Sequence, residues 1–575
     1  MPPRTTPLTL AVGTSLLACT GLGTNPAPTH PRATVVLDQG WDHSPWFASF
    51  PARPASQVSP AAIQMSTTIE LGRRYKGGEL VLDGLVRSAS LSIDHRTVGE
   101  AMGGIGPVAI PLPGGLGGGR QALSLDISAP KGGDELLLGT QFPTARLTGP
   151  PRLTLGGNGL GLISLSLEAD GLHASVHASQ GAQVRLLTTL DGVVIQSLGT
   201  TRVVDGIASF GPMAWQGPRW PSDDSLFFAW AILEDDAGAE LDRKGVRTGL
   251  RHVALGERDM EVDGRATRML AIRLWNRTLE STIEVGLKVG ANTLELHGLP
   301  APPSWMDRAD ELGMYVVDMP RCDGQVQANK RKVSDWAAEL AEQDLALINH
   351  MATHPSLVLW SSEGDQGVFA PMLERYAADP VSRLTADWDV PSRPVTVSEP
   401  VKSADQPWWN MEVNQGRSLT RATADETLAT VAATFRAGAI GTHMPGYSLD
   451  GADPREVEQK WRALGREHGV IPLPGERRGP ARIAVSGLSP GQVVWASADW
   501  LPTTGGVANA NGIARLDIWH RGDVLLDVSG VTRTVTVTPG RWVVPEAATL
   551  GSKGDVLQQA WKGGVTRIEW KGTPG

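Results

Sequence analysis

The sequence predicts a multidomain protein: two β-sandwiches, then a TIM-type (β/α)8 barrel, then a small C-terminal β-sandwich. Three observations lead to this prediction. The chain has 575 residues, too many for one hydrophobic core. Short apolar strands separated by glycine-rich turns fill residues 35–258 and return after residue 480, a spacing typical of antiparallel sandwiches. Between these regions strands alternate with amphipathic helices, which favours a parallel sheet closed into a barrel.

The composition is that of a folded protein with an acidic balance. Hydrophobic residues make up 41% and charged residues 20% of the chain, and the net charge is -9. This net negative charge, with a pI near 5.8, argues against a nucleic-acid partner. The 19 tryptophans against 4 tyrosines are unusual. Tryptophan faces stack on sugar rings, but most of these side chains are expected to fill cores.

Residues 1–19 are predicted to be a lipoprotein-type signal peptide. Arg4 precedes a short apolar segment from Leu8 to Ala18, and Leu16-Leu17-Ala18-Cys19 resembles a bacterial lipobox. Lipidation of Cys19 would make this an exported protein of the bacterial cell envelope, periplasmic or attached to the outer membrane. Its only membrane contact would be that lipid anchor. The alternative is an ordinary secretory signal cut nearby and a secreted protein.

Residues 20–34, rich in proline and glycine, are predicted to be a linker. Residues 35–150 form the first predicted sandwich, and residues 151–258 form a second, immunoglobulin-like one with Asp191-Gly192 as a hairpin turn. The only cysteine besides Cys19 is Cys322, so the mature chain has no internal disulfide.

Residues 259–475 are predicted to form the barrel. Gly290 and Gly313 each follow an amphipathic helix, as helix-ending glycines do. Residues 480–545 form a small C-terminal sandwich, and residues 546–575 are predicted to be a tail. The strands predicted for the barrel are Arg268–Trp275, Asn292–His297, Met314–Asp318 and Leu357–Trp360.

The stretch from His354 to Asp365 carries the main candidates for catalytic residues. Its unbroken apolar run is typical of a strand covered on both faces, and Pro355 separates that strand from the preceding helix. Glu363 and Asp365 follow the run and share a face if the strand extends through them. Carboxylates at the carboxyl end of a barrel strand are where such a fold performs chemistry.

Three motifs resemble glycoside hydrolase family 2, the group of β-galactosidases, β-glucuronidases and β-mannosidases. One is the strand at Asn292–His297, followed by Asp310-Glu311-Leu312-Gly313 and the strand ending at Asp318. Another is His354-Pro355-Ser356 with the strand through Trp360-Ser361. A third is Arg393-Pro394-Val395-Thr396, similar to the family's fifth barrel strand. The resemblance implies a sugar-binding jelly roll, an immunoglobulin-like sandwich and a barrel, in that order.

The sequence departs from the family pattern at the acid/base position. The family continues with Asn-Glu, whereas this chain has Gly364-Asp365 in the ungapped register. Retaining hydrolysis needs two carboxyl groups about 5–5.5 Å apart, and an aspartate withdraws its carboxyl by about one bond length. Two assignments stay open: Asp365 is the acid/base, or a shift of two residues gives that role to Glu363.

The nucleophile also has two candidates. Glu412 ends a short strand, Trp408-Trp409-Asn410-Met411, that resembles the family's seventh strand. Glu399, after the stretch that resembles the fifth strand, is the fallback. A solvated carboxylate without a catalytic role is the alternative interpretation of Glu412.

Five further residues are predicted to bind substrate at the barrel mouth: His297, Asp318, Trp360, Trp408 and Trp409. The alternative for each is a packing role. No cofactor is predicted. His350 and His354 are four residues apart, but no third ligand follows and no metal site is predicted.

Two hypotheses for the function follow. The first is a family 2 glycosidase that cleaves a β-linked glycan through a retaining two-carboxylate mechanism. The second is a catalytically inactive, glycosidase-like lipoprotein that serves as a carbohydrate-binding or cell-envelope scaffold. The sequence selects neither the sugar nor the oligomeric state.

Overall fold

The structure is a computed structural model. It describes residues 32–38, 41, 62–85, 88–103, 106–112, 114–128, 146–147, 149–157, 159–179, 183–255, 260–273, 279–297, 303–319, 337–361, 384–386, 409–410, 424–436, 439, 441–443, 453–471, 473, 476–543 and 561–570. Of the helices within these segments, none combines the length and the apolar character that a bilayer-crossing helix needs.

The N-terminal sandwich packs a four-stranded sheet, in the order β2-β8-β5-β6, against a second sheet that contains β1-β10-β3-β7. In β2 the buried side chains Met65, Thr67, Ile69 and Leu71 alternate with more exposed ones, so one face of the strand enters the core. The strands are β1 (Ala33–Val36), β2 (Ala62–Leu71), β3 (Gly78–Leu82), β4 (Gly84–Leu85), β5 (Ser88–Ile93), β6 (Arg96–Met102), β7 (Val108–Pro111), β8 (Gly119–Ser128), β9 (Arg146–Leu147) and β10 (Arg152–Leu155).

The boundary between the first two domains lies later than predicted. The sequence assigns β10 to the second sandwich, but β10 pairs with β1 and β3 of the first. The amino-acid composition of a strand does not specify which strand it pairs with, so the sequence alone could not assign β10 to the first sandwich.

The second sandwich has sheets β11-β12-β15 and β14-β13-β16-β17 around one core. The predicted hairpin turn is confirmed: Leu190 pairs with Val193, and Asp191 and Gly192 both have positive φ, as a tight hairpin turn requires. The strands are β11 (Leu160–Glu168), β12 (Gly171–Ala178), β13 (Gln183–Leu190), β14 (Val193–Arg202), β15 (Ile207–Met213), β16 (Phe227–Glu234) and β17 (Glu240–Thr248).

The α/β region contains a seven-stranded parallel sheet in the order β25-β24-β23-β22-β21-β27-β26. Its strands are β21 (Met269–Arg273), β22 (Thr293–His297), β23 (Tyr315–Met319), β24 (Leu357–Ser361), β25 (Leu384–Ala386), β26 (Trp409–Asn410) and β27 (Gly441–His443). The helices are α1 (Leu279–Val289), α2 (Pro303–Leu312), α3 (Ala337–Met351), α4 (Ala424–Arg436) and α5 (Pro454–Glu467).

The predicted barrel is confirmed in part. The first and last parts of the chain's α/β region meet where β27 pairs with β21, as in a closing barrel. Within the described residues β25 and β26 have no partner on their outer sides, so the sheet is an open arc of seven strands. The strand next to β24 is Leu384–Ala386, and the stretch Arg393–Thr396 lies outside the described residues.

Two apolar cores identify the two faces of this sheet. Leu270 and Ile272 pack with Val289, Phe435 and Trp461 from the helices, so this face is the helix side. Met269, Ala271, Tyr315, Val317 and Leu359 pack with Trp220 and Met260 instead, and this is the inner face. Met260 belongs to a small antiparallel sheet at the amino-terminal end of the parallel strands, with β18 (Val253–Leu255), β19 (Met260–Val262) and β20 (Arg265–Thr267).

The C-terminal region continues the N-terminal sheet. Strand β31 pairs in parallel with β1, which joins both domains into one eight-stranded sheet. The predicted tail, 546–575, supplies β36 and β37, and β37 pairs with β29, so the domain extends beyond residue 545. The strands are β28 (Glu476–Arg478), β29 (Ala481–Ser486), β30 (Val493–Ala498), β31 (Leu501–Val507), β32 (Ala514–Ile518), β33 (Gly522–Val528), β34 (Val531–Val537), β35 (Arg541–Val543), β36 (Trp561–Lys562) and β37 (Val565–Glu569).

Candidate functional site

The carboxyl end of the parallel sheet carries the predicted site. All seven strands run in the same direction, so the chain leaves β24 and β26 at the same edge. Glu363 follows the last residue of β24 by two positions, and Glu412 follows the last residue of β26 by two positions. Five of the predicted residues lie outside the described part of the chain: Cys19, Glu363, Asp365, Trp408 and Glu412. So does the fallback nucleophile Glu399.

Asp318 lies on the helix side of the sheet, and Trp360 is its neighbour on β24. Asp318 pairs in register with Leu296 on β22 and with Trp360 on β24. The side chains of Asp318 and Trp360 are fully buried. Side chains alternate along a strand, so Asp318 faces away from Val317, which belongs to the inner core. Both side chains are covered by the protein in the described structure. A direct contact with sugar stays a prediction for them.

Glu295 is a buried acid on the inner face that the sequence analysis did not select. It pairs in register with Arg273 on β21 and Val317 on β23, and it is fully buried. The sequence contains a pattern that could have identified this residue. Polar and apolar residues alternate along β22, which places Thr293, Glu295 and His297 on one face. The backbone of His297 ends this strand, while the side chains of His297 and Trp409 lie outside the described part.

The motifs behind the family resemblance meet at the opposite, amino-terminal end of the sheet. Asp310 Oδ1 accepts a hydrogen bond from the Ser356 amide at 2.9 Å, and Asp310 Oδ2 lies 2.7 Å from His354 Nδ1. All three residues are buried. Asp310 thus fixes the start of β24. The candidates for the acid/base, Glu363 and Asp365, follow the other end of this strand.

Helix α2 also connects the barrel to two other domains. Arg247 of β17 pairs with Asp307 and lies 3.4 Å from Glu311. From the C-terminal domain, the Trp542 indole donates to Glu311 Oε2 at 3.1 Å, and Arg477 donates to the carbonyl oxygens of Asp310 and Glu311. The Glu311 carboxylate and the carbonyl oxygens of Asp310 and Glu311 are therefore satisfied by side chains from both sandwiches that flank the barrel.

Asp307, Asp310 and His354 bring three potential metal-ligand atoms within 4.8 Å of one another. Asp310 Oδ1 accepts a hydrogen bond from the Ser356 amide, and Asp310 Oδ2 contacts His354 Nδ1. The Arg247 guanidinium donates to Asp307. A guanidinium supplies the positive charge that a metal ion would bring, so this group is a structural ion-pair network.

Helix α3 packs against the N-terminal sandwich through His350. Its Nε2 lies 3.6 Å from Asp83 Oδ1, and Asp83 pairs with Arg152 at 3.0 Å. Burial lowers the pKa of His350 to about 4; Asp83 opposes this shift, while Arg152 and His354 reinforce it. The imidazole at this domain contact is therefore neutral at pH 7.

Acidification is expected to weaken the folded state through His350. Its folded pKa is below the ordinary value, so the unfolded chain takes up the proton first and stability is lost as the pH falls from about 6.5 to about 4. The wild-type chain should lose about 2 kcal/mol more unfolding free energy between pH 6.5 and 4.5 than His350→Gln, which does not titrate. Urea unfolding at both pH values measures this, and equal losses in the two chains would contradict it.

Comparison with proteins of known structure supports the fold. A β-galacturonidase of glycoside hydrolase family 2 from Eisenbergiella tayi aligns with a TM-score of 0.55 and 14% identity, covering 78% of this chain and 98% of that one. A β-glucuronidase from Bifidobacterium dentium aligns with a TM-score of 0.54 and 16% identity, covering 77% and 89%. At such identities the alignments show a shared fold and nothing further.

Sequence comparison finds β-galactosidases over a short region. The protein from Vibrio cholerae is 22% identical over 167 residues, which is 26% of this chain and 16% of that protein. The protein from Alteromonas mediterranea is 22% identical over 164 residues, again 26% and 16%. The chain thus matches about a sixth of the length of these relatives. No family model matches it. The chain has the fold of glycoside hydrolase family 2 and resembles that family in sequence.

Proposed function

We propose that the chain hydrolyses a β-linked glycoside with retention of configuration. One observation carries the proposal: β24 and β26 belong to one parallel sheet and end at the same edge, each two residues before an acid, Glu363 and Glu412. Carboxyl groups that reach a barrel mouth from two strands are the arrangement on which glycoside hydrolysis depends.

In this mechanism Glu412 is the nucleophile and Asp365 or Glu363 is the acid/base. The Glu412 carboxylate bonds to the anomeric carbon while the acid protonates the departing glycosidic oxygen. The same acid/base then removes a proton from water, which attacks the anomeric carbon and releases Glu412. Proximity of two carboxyl groups raises the pKa of the protonated one, so it can act as an acid near neutral pH.

The substrate is proposed to be an extracytoplasmic glycan that binds at this edge, with His297, Trp408 and Trp409 among its contacts. Export, with a lipid anchor at Cys19, is part of the same proposal. The names of the similar proteins define the sugars to test first: the solved structures are a β-galacturonidase and a β-glucuronidase, and the curated relatives are β-galactosidases.

A second function is favoured by one feature of the sequence. Gly364 and Asp365 stand where the family has Asn and Glu, and glycine offers no side chain to bond the sugar 2-hydroxyl. Such hydrogen bonds strengthen in the transition state, and their loss lowers the rate. The rival function is therefore that of an inactive barrel that binds carbohydrate as a scaffold in the cell envelope.

A panel of aryl β-glycosides distinguishes the two functions. The purified chain is incubated with 4-nitrophenyl β-galactoside, β-galacturonide, β-glucuronide and β-mannoside, and the released phenol is followed by absorbance. The corresponding free sugars are titrated in parallel by calorimetry. Turnover of one glycoside supports the hydrolase, whereas sugar binding without turnover supports the scaffold. Absence of both contradicts both functions.

A further inference from the structure

A cleft at the amino-terminal end of the parallel strands has features of a binding site. It encloses about 410 Å³ between the barrel, the Arg219–Ser222 turn of the second sandwich and the β19–β20 hairpin. Its apolar walls are Trp220, Pro221, Val262, Ile471 and Leu473. Tyr315, the first residue of β23, lines it too, so the cleft lies at the opposite end of the strands from Glu363 and Glu412.

Most polar groups in the cleft are already satisfied by the protein. The Asn292 side chain accepts from the Leu270 amide and the Thr293 hydroxyl and donates to two carbonyl oxygens. Arg219 pairs with Asp263 at 3.1 Å. The Asn292 amide thus has little hydrogen-bonding capacity left for a ligand, whereas Arg219, half exposed, uses only one of its guanidinium N–H groups on Asp263.

Two further donors border the cleft. Among the described residues, neither the buried Tyr315 side chain nor the exposed Arg265 side chain makes a hydrogen bond or an ion pair. Tyr315 is only 6% exposed, and its ring packs edge-on against Trp220 with the centroids 5.7 Å apart. The ring is therefore covered by the protein while the side chain borders the open cleft, where a ligand can accept a hydrogen bond from the hydroxyl.

We propose that this cleft binds a small organic anion with a flat, apolar body. The body would lie against Trp220, Pro221 and Val262, and the anionic group would accept hydrogen bonds from Arg265 and Tyr315. The volume falls in the range of small-molecule sites, which combine apolar walls with a few polar groups that fix orientation. Burial raises the pKa of Tyr315 to about 12, so the hydroxyl remains a donor at neutral pH.

The proposal does not depend on the hydrolase reaction. The cleft is lined by Asn292, which immediately precedes β22, and by Tyr315, the first residue of β23. The other ends of these five-residue strands reach the candidate site about 13 Å away. A ligand here would act as an effector or a stabiliser and would not contact the reacting carboxylates. Failure of the glycosidase assay would therefore leave this site untouched, and the reverse also holds.

Calorimetric titration of the full chain with benzoate and its neutral analogue benzamide tests the site at pH 7 and low salt. Benzoate is expected to bind about tenfold more tightly than benzamide, because a charge-assisted hydrogen bond is stronger than a neutral one. Arg265→Gln should bring the two affinities within about twofold of each other. Tyr315→Phe keeps the ring and should weaken benzoate binding several-fold. Arg120→Gln, on the exposed face of β8, is the matched control and should leave binding unchanged.

Three results would overturn the proposal. One is the absence of benzoate binding at millimolar concentration to wild-type chain that is folded by circular dichroism. Another is equal affinity for benzoate and benzamide. The third is unchanged benzoate affinity in Arg265→Gln and Tyr315→Phe. Thermal unfolding midpoints of both variants, compared with that of Arg120→Gln, show whether a loss of binding reflects the site or a loss of fold.

Discussion

Glu412→Gln is expected to lower turnover of the best aryl β-glycoside by at least about a thousandfold, because glutamine cannot form the covalent glycosyl intermediate. The amide keeps the size of the side chain, so sugar binding should persist and the loss should appear in kcat. Initial rates across a range of substrate concentrations separate kcat from KM. Glu399→Gln is the matched control and should retain most of the activity. If Glu399→Gln abolishes turnover and Glu412→Gln does not, the nucleophile is Glu399.

The same substrates assign the acid/base. A poor leaving group such as 4-methylphenol needs a proton from the enzyme, whereas 2,4-dinitrophenolate leaves without one. Loss of the acid/base should therefore impair the methylphenyl glycoside far more than the dinitrophenyl glycoside. Asp365→Asn and Glu363→Gln are compared on both. The variant with the larger ratio of losses identifies the residue, and equal ratios in both variants would contradict a role for either.

Asp310→Ala is expected to destabilise the folded chain by about 3 kcal/mol. The substitution leaves the Ser356 amide and His354 Nδ1 buried without their acceptor, and each orphaned group carries a desolvation cost. The first transition in urea unfolding at pH 7, followed by circular dichroism, measures the change.

Asp310→Asn is the matched comparison. Its amide oxygen still accepts from the Ser356 amide, so we expect about half the loss seen for Asp310→Ala. Asp425→Asn, at an exposed ion pair with Lys460, should cause no measurable change. Equal stability of Asp310→Ala and wild type would show that the junction of α2 and β24 does not hold the strand in place.

Asp310 also shows what the motifs behind the family resemblance do in this fold. The motif residues Asp310, His354 and Ser356 build a buried contact at the amino-terminal end of the barrel. A buried contact at that end of the barrel contributes to stability whether or not the protein is an enzyme. The departure, Gly364-Asp365, lies at the carboxyl end, where the reaction would occur. The retained motifs are therefore evidence of architecture, and the assay decides activity.

The sequence by itself determined the local elements. The turn at Asp191-Gly192 and the ends of α1 and α2 at Gly290 and Gly313 occur where they were predicted, with positive φ at all four residues. The reason is that these features depend on backbone conformations that neighbouring residues fix. The apolar run before Ser361 likewise became a buried strand, because its composition suits burial on both faces and nothing else.

Only the tertiary structure decided which elements meet. Pairing of β1 with β31 joins residues more than 450 positions apart, and no local pattern in either strand specifies the other. The same holds for β10, for β37 in the predicted tail, and for the Arg247 and Trp542 contacts with α2. Asp318 faces the helices, whereas Glu295 faces the inner core. Which face an acid takes depends on the register of its strand, and register is a property of the assembled sheet.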